Sequence, residues 1–141
     1  MLRRCMKKDL DQVFQIERIC FKHPYDYSTF LYFLMREPDG FYVAEENGRI
    51  IGYVISSSRS GKGTIVSIVV LPEFRRRGIG SKLMIEGLNF LSKRVDYMEL
   101  QVKVSNIEAI SFYRKLGFKE VGLIPNYYQD GEDALIMSKK V

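Results

Sequence analysis

Arg75-Arg76-Arg77-Gly78-Ile79-Gly80-Ser81 joins two stretches of opposite character. Before it runs a β-branched segment, Thr64-Ile65-Val66-Ser67-Ile68-Val69-Val70-Leu71. After it, Leu83, Met84, Leu88 and Leu91 continue from Ile79 at the spacing of one helix face. A strand feeding a glycine turn at a helix N-terminus makes an anion site. The first N–H groups of the helix lack intrahelical partners, and the helix dipole favours negative charge there. Gly78 and Gly80 carry no side chain to keep a phosphate from the backbone. The implied ligand is a phosphate or pyrophosphate. No Lys-Ser/Thr pair follows the glycines and the order is not G-x-G-x-x-G, which excludes two common phosphate loops. A solvated basic turn, or a non-specific polyanion patch, would fit the seven residues as well.

The rest of the chain bounds the choice. Its 141 residues fit one domain spanning 1–141. A composition 46% hydrophobic and 28% charged is that of a water-soluble globular protein. No apolar run is long enough to span a membrane, and the start Met1-Leu2-Arg3-Arg4 is not a signal peptide, so the expected site of action is the cytoplasm. Cys5 and Cys20 lack metal-ligand spacing and sit in apolar patterns, which predicts reduced thiols and no metal. A net charge of +5 suits an anionic cofactor or an acidic substrate as well as nucleic acid.

Along the chain, residues 1–5 predict a short strand, and Asp9 an N-cap to a helix carrying Leu10, Val13, Phe14 and Ile16. Pro24 breaks that helix, and Ser28 is expected to cap a second one, which Pro38-Asp39-Gly40 ends. Asn47-Gly48 between residues 41–45 and 50–55 predicts a hairpin. Residues 56–63 read as a polar turn, residues 64–71 as a strand, and the helix after the glycine turn runs to about Lys93. Residues 97–104 alternate like a strand, Ser105-Asn106 caps a helix over 107–116, and Gly117 ends it in the left-handed region. Two strands, 118–123 and 134–138, flank the aromatic loop Pro125-Asn126-Tyr127-Tyr128-Gln129-Asp130-Gly131. The order β-α-α-β-β-β-α-β-α-β-β predicts an α/β protein of the α+β type, built around one mixed sheet.

Ser105-Asn106-Ile107-Glu108-Ala109-Ile110-Ser111-Phe112-Tyr113-Arg114-Lys115-Leu116-Gly117-Phe118, together with the R-x-x-G-x-G of Arg75, Gly78 and Gly80, resembles the GNAT family of acetyl-CoA-dependent N-acetyltransferases. The tail Tyr127-Tyr128-x-Asp130-Gly131-Glu132-Asp133-Ala134 is similar to that of its protein N-terminal acetyltransferases, among them bacterial ribosomal-protein enzymes and archaeal relatives. The resemblance covers essentially the whole chain. It implies the GNAT fold, with about six to seven strands, about four helices and a splay in the sheet where acetyl-CoA enters.

It implies roles as well. Arg75, Arg76, Arg77, Gly78, Ile79, Gly80 and Ser81 would hold the pyrophosphate of acetyl-CoA, and Ile68, Val69 and Val70 the pantetheine arm, as an added strand would pair. Asn106 would bond the pantetheine amides while also capping its helix. Tyr113 would be the general acid beside the coenzyme sulfur, and an N–H near Val70 the oxyanion donor. Gln101 occupies the position where relatives carry a Glu or His base, and an amide is no useful base. Asp26, His23 and Glu120 are the alternatives, and Gln101 could instead hold a water. Tyr25, Tyr127 and Tyr128 are expected to frame the substrate backbone.

The expected reaction is direct acetyl transfer to the N-terminal amine of a protein or peptide, a ribosomal protein among the candidate targets. The protein would act as a monomer or weak homodimer, with no membrane and no specific nucleic acid as partner. A small-amine acetyltransferase is the rival within the class. A non-catalytic coenzyme- or nucleic-acid-binding module is the rival outside it, though no stacking-aromatic array or helix-turn-helix pattern supports nucleic acid.

Overall fold

A computed structural model describes residues 1–140. The elements follow the order β1 (Leu2–Arg4), α1 (Leu10–Cys20), α2 (Tyr27–Arg36), β2 (Phe41–Glu46), β3 (Arg49–Arg59), β4 (Lys62–Val70), α3 (Ile79–Ser92), β5 (Tyr97–Lys103), α4 (Ile107–Lys115), β6 (Lys119–Ile124) and β7 (Ala134–Lys140). The seven strands form a mixed sheet in the order β1-β2-β3-β4-β5-β7-β6. Two compact units divide the chain, Met1–Ser57 with Ile65–Arg94, and Ser58–Thr64 with Val95–Val141.

The first unit buries the inner faces of α1 and α2. Leu10, Val13 and Ile16 of α1 and Phe30 and Leu34 of α2 pack with Phe41, Val43, Tyr53 and Ile55 of the hairpin and with Val69 of β4. Edge-to-face aromatic pairs run through this core, Phe14–Phe30 and Phe30–Tyr53, with ring centroids 6.5 and 5.9 Å apart. Gly52 lets β3 lie against β4, because a Cβ there would meet the Val69 carbonyl at 2.8 Å. Asn47 and Gly48 both have positive φ, 52° and 78°, as a tight hairpin turn between β2 and β3 requires.

In the second unit, β5 pairs antiparallel with β7, and β7 with β6. The parallel pairing of β4 with β5 joins Lys62, Gly63 and Thr64 to Tyr97, Met98 and Glu99. Met98, Leu100 and Val102 alternate inward with Ile110, Phe118 and Met137 among the buried residues of the unit.

Several boundaries differ from those expected of the sequence. Residues 56–63 are not a loop: β3 continues to Arg59, β4 begins at Lys62, and Ser60 and Gly61 turn the chain at φ 52° and 80°. The serines gave the segment a loop composition, but strand pairing overrides composition. The second helix begins at Tyr27, one residue before Ser28. Its N-cap is Asp26, whose carboxylate accepts from the Thr29 N–H at 3.1 Å. Asp9 precedes α1 without capping it by side chain. Its buried carboxylate accepts instead from the Met6 N–H and from two nitrogens of Arg3.

Candidate functional site

In the first unit, β4 delivers the chain through Pro72 to the glycine turn. Gly78 takes φ 80° as the N-cap of α3, and Arg76 takes φ 66° before it. The first helical bond from this end is the Lys82 N–H to the Gly78 carbonyl, 3.1 Å, so the N–H groups of Ile79, Gly80 and Ser81 precede the intrahelical ladder. A Cβ on Gly78 would meet nothing within 4 Å, and one on Gly80 only the Val70 Cγ2 at 3.8 Å. The glycines therefore leave space that the protein itself does not fill, a cradle that fits the phosphates of an anionic coenzyme.

Two of the three arginines are turned to the protein. Arg75 Nε donates to the Val70 carbonyl at 2.8 Å, which clips the end of β4 to the turn. Arg77 lies 3.8 Å from Glu46 and stacks over Phe74, 5.2 Å from the ring centre. The side chains of Arg75 and Arg77 thus hold the shape of the turn, and its backbone N–H groups are left at the open space. Ile68 and Val70 are half-buried and Val69 is buried. A groove of about 460 Å³, lined by Leu2, Ala44, Ile51, Ile85 and others, shares Arg77 and Ile79 with the turn.

In the second unit, α4 is capped by Asn106, whose Oδ1 accepts from the Ala109 N–H at 3.2 Å. Its amide NH2 is left for another acceptor. The helix ends in a Schellman motif: the Gly117 N–H donates to the Arg114 carbonyl and the Phe118 N–H to the Tyr113 carbonyl, both 3.0 Å, with Gly117 at φ 98°. The same motif seats the Phe118 ring on Tyr113, edge to face at 6.0 Å. The Leu116-Gly117-Phe118 sequence is therefore the local cause of Tyr113's position. Burial raises the Tyr113 phenol to about 12, so it keeps its proton throughout the neutral range.

Gln101 is half-buried on β5 opposite Ile136, alternating with the buried Leu100 and Val102. The β6–β7 loop holds Tyr127 and Tyr128 edge to face at 5.0 Å. Its acidic residues fold it. Asp130 pairs with Lys103 at 2.7 Å, Glu132 accepts from the Ser105 N–H at 3.0 Å, and Asp133 accepts from the Asn126 N–H at 2.9 Å. Lys103 also lies over the Tyr128 ring, 5.2 Å from its centre.

Two of the alternative bases are engaged elsewhere. The Ser28 hydroxyl, with the Thr29 N–H and hydroxyl, holds Asp26 below the usual carboxylate range, a poor base. Glu120 forms an ion pair with Arg114. His23 is exposed in the α1–α2 loop. Among the described residues, no group of three or more His, Cys, Asp or Glu could hold a metal ion.

Glu17 was not singled out from the sequence. It is 3% exposed, accepts from the Tyr53 hydroxyl, and accepts from the Tyr25 N–H at 3.0 Å. Its sequence signal was an acidic residue four positions after Val13 and seven after Leu10, on the apolar face of α1.

A strand, a bare glycine turn and a dipole-bearing helix, followed along the chain by a capped helix carrying a protonated phenol, suit a transferase that uses an anionic coenzyme. The chain belongs to the Acetyltransferase (GNAT) family, whose model matches residues 10–118, and it is an N-acetyltransferase. It is 44% identical over 142 residues to an uncharacterized N-acetyltransferase of Methanocaldococcus jannaschii, covering 99% of this chain and 91% of that one. It is 36% identical over 151 residues to an N-alpha-acetyltransferase of Sulfurisphaera tokodaii, covering 97% and 90%. Its fold matches Arabidopsis thaliana Naa50 in complex with the bisubstrate analogue CoA-Ac-MVNAL, with a TM-score of 0.89, 27% identity, and coverage of 100% of this chain and 98% of that one.

Proposed function

We propose that this protein transfers an acetyl group from acetyl-CoA directly to the N-terminal amine of a protein or peptide, working as one GNAT domain over residues 1–141. The family model supports the single domain, since its match over residues 10–118 runs through both units. The observation that carries the reading is the turn at residues 78–81, with its open space and unladdered N–H groups, in a chain of this family. The N-alpha-acetyltransferase name of the Sulfurisphaera relative, and the CoA-acetyl-peptide analogue bound to Naa50, support an α-amine as acceptor.

In this reading residues 75–81 take the pyrophosphate, Ile68, Val69 and Val70 the pantetheine arm, and the Asn106 amide NH2 a pantetheine carbonyl. The Val70 N–H faces the developing oxyanion. Tyr113 donates to the departing sulfur. A phenol at about 12 loses its proton to a thiolate of pKa about 8.5 only uphill, so its part is to stabilise that thiolate through a hydrogen bond. Tyr25, Tyr127 and Tyr128 frame the peptide backbone, and Gln101 holds the amine or its water. With an amide in the base position, the reaction starts from free amine already present. An α-amine of pKa about 8 has roughly a tenth of its population unprotonated at neutral pH, against well under a thousandth for lysine.

The setting in which this reading places the enzyme is the cytoplasm, where it works as a monomer or weak homodimer on exposed protein N-termini, ribosomal proteins included. The free thiols Cys5 and Cys20 support a reducing compartment. The test is mass spectrometry of an N-terminal peptide library incubated with acetyl-CoA and the protein. Acetyl groups on α-amines are the expected result. Transfer confined to lysine side chains or small amines would overturn the reading.

A further inference from the structure

Glu17 holds both ends of the α1–α2 loop, residues 21–26. Its carbonyl accepts from the Phe21 N–H at 3.0 Å, where α1 stops, and its carboxylate accepts from the Tyr25 N–H at 3.0 Å, where α2 is about to begin. The other carboxylate oxygen accepts a hydrogen bond from the hydroxyl of Tyr53, a fully buried residue of β3. The Tyr53 hydroxyl also lies 3.4 Å from the Ser67 hydroxyl on β4, within hydrogen-bond distance. One buried residue therefore links the loop, β3 and β4.

This arrangement is costly to keep unless it serves something. A carboxylate 3% exposed loses its hydration, and burial pushes its pKa up accordingly. An apolar side chain at this position would continue the face of Leu10, Val13 and Ile16 without that penalty. What the carboxylate supplies is the shape of an otherwise exposed loop. Residues 21–26 are all exposed, and Tyr25 keeps 44% of its surface open while its ring edge meets Phe30 at 6.3 Å.

We infer that Glu17 is a positioning residue for the incoming peptide, fixing the substrate-facing loop at Tyr25 and tying it through Tyr53 and Ser67 to the strand that receives the coenzyme. The inference rests on the proposed N-terminal acetyltransferase reading, in which Tyr25 meets the substrate and β4 the pantetheine arm. Glu17 touches neither substrate, and acts only through the geometry of what it holds.

The test uses the full chain with Glu17→Gln and Tyr53→Phe, steady-state kinetics on peptides differing in their first residue, and hydrogen exchange read at residues 21–26. Glutamine keeps one acceptor oxygen for the two donors, so Glu17→Gln is expected to raise peptide KM about tenfold with kcat within about twofold, as loss of a charge-assisted bond that sets binding geometry should. Tyr53→Phe keeps the Tyr25 bond and is expected to raise KM about threefold. In Glu17→Gln, exchange at Tyr25 should quicken, preference among first residues should narrow, and acetyl-CoA affinity should stay constant. Unchanged KM and selectivity in a folded Glu17→Gln protein would overturn the inference. So would a fall in kcat with a displaced pH profile at constant KM, since that marks a proton carrier. If the wild-type protein acetylates no peptide, the functional reading fails, while the exchange measurement still decides whether Glu17 fixes the loop.

Discussion

The glycine turn of the first unit and the tyrosine loop of the second carry sequence signatures of equal density, and their polar groups are used in opposite ways. At residues 75–81 the side chains serve the protein, Arg75 on the Val70 carbonyl and Arg77 on Glu46 and Phe74, while the backbone is left bare. At residues 126–133 the backbone and the acidic side chains are consumed together, Asp130 by Lys103, Glu132 by Ser105 and Asp133 by Asn126. The aromatic surface that loop leaves open includes Tyr127, 49% exposed. A run of charged residues in a motif therefore does not say which groups face a ligand. The turn offers N–H groups suited to an anion, and the loop offers aromatic surface suited to a peptide backbone.

The largest effect should come from filling the turn. A Cβ at residue 80 would meet only the Val70 Cγ2, at 3.8 Å, so Gly80→Val should fold, with a Tm near that of the wild type. Acetyl-CoA affinity, measured by calorimetry, should fall about a hundredfold or more, ~2.7 kcal/mol, because the backbone can no longer approach the phosphates. A folded variant with wild-type affinity would remove the turn from the coenzyme site.

Tyr113→Phe comes next. The ring stays against Phe118 and the Schellman motif is untouched, so only the hydroxyl is lost. Turnover should drop roughly a hundredfold with coenzyme Kd unchanged. The raised phenol also fixes a sign. Its acid form persists below about 12 and is lost only as pH rises through that value, so the wild-type rate should show no alkaline fall from Tyr113 between pH 7 and 10. An alkaline limb that disappears in Tyr113→Phe would contradict the burial seen here.

How far these features were legible from the residues depends on the span of the interactions behind them. Asn47-Gly48, Gly78 and Gly117 are local backbone requirements, and each is found at the positive φ its turn demands. The element order and the spacing of the Tyr113 motif were legible for the same reason. Ser60-Gly61 was not, because a serine-rich strand end becomes a strand only by pairing. Asp26 and Ser28 both suit an N-cap, and only the backbone decides between them. Glu17 was hidden by distance, its partners lying 8 and 36 residues away at Tyr25 and Tyr53. Its mark in the sequence, one acid on an apolar helix face, has no meaning until those partners are folded onto it.

A smaller effect should follow from Gln101. With Asp26 held ionised by its cap contacts, its carboxylate titrates well below the neutral range and cannot shape a profile there. The wild-type kcat/KM for a short peptide should therefore rise from about pH 7 to 8.5, following an α-amine of pKa about 8. Gln101→Glu should flatten that rise by several-fold at the low end, about threefold at pH 6.5. A profile already flat from pH 6 in the wild type, made steep by Asp26→Asn or Glu120→Gln, would identify that carboxylate as the base.

The smallest effect tests the loop half of the comparison. Lys103 holds Asp130 at 2.7 Å and lies over the Tyr128 ring, so it orders the aromatic loop. The pair is partly exposed, 37% and 29%, and solvent screens it, so its removal should be mild. Lys103→Met keeps the aliphatic stem and deletes the charge. Peptide KM should rise about twofold to threefold, with kcat and acetyl-CoA Kd unchanged, because only the ordering of Tyr127 and Tyr128 is loosened. The same substitution at high salt should have almost no effect, since screening has already weakened the contact in the wild type. A change in coenzyme affinity in Lys103→Met would mean that the loop and the turn are not separate in function, and the division between backbone recognition of the anion and aromatic recognition of the peptide would have to be abandoned.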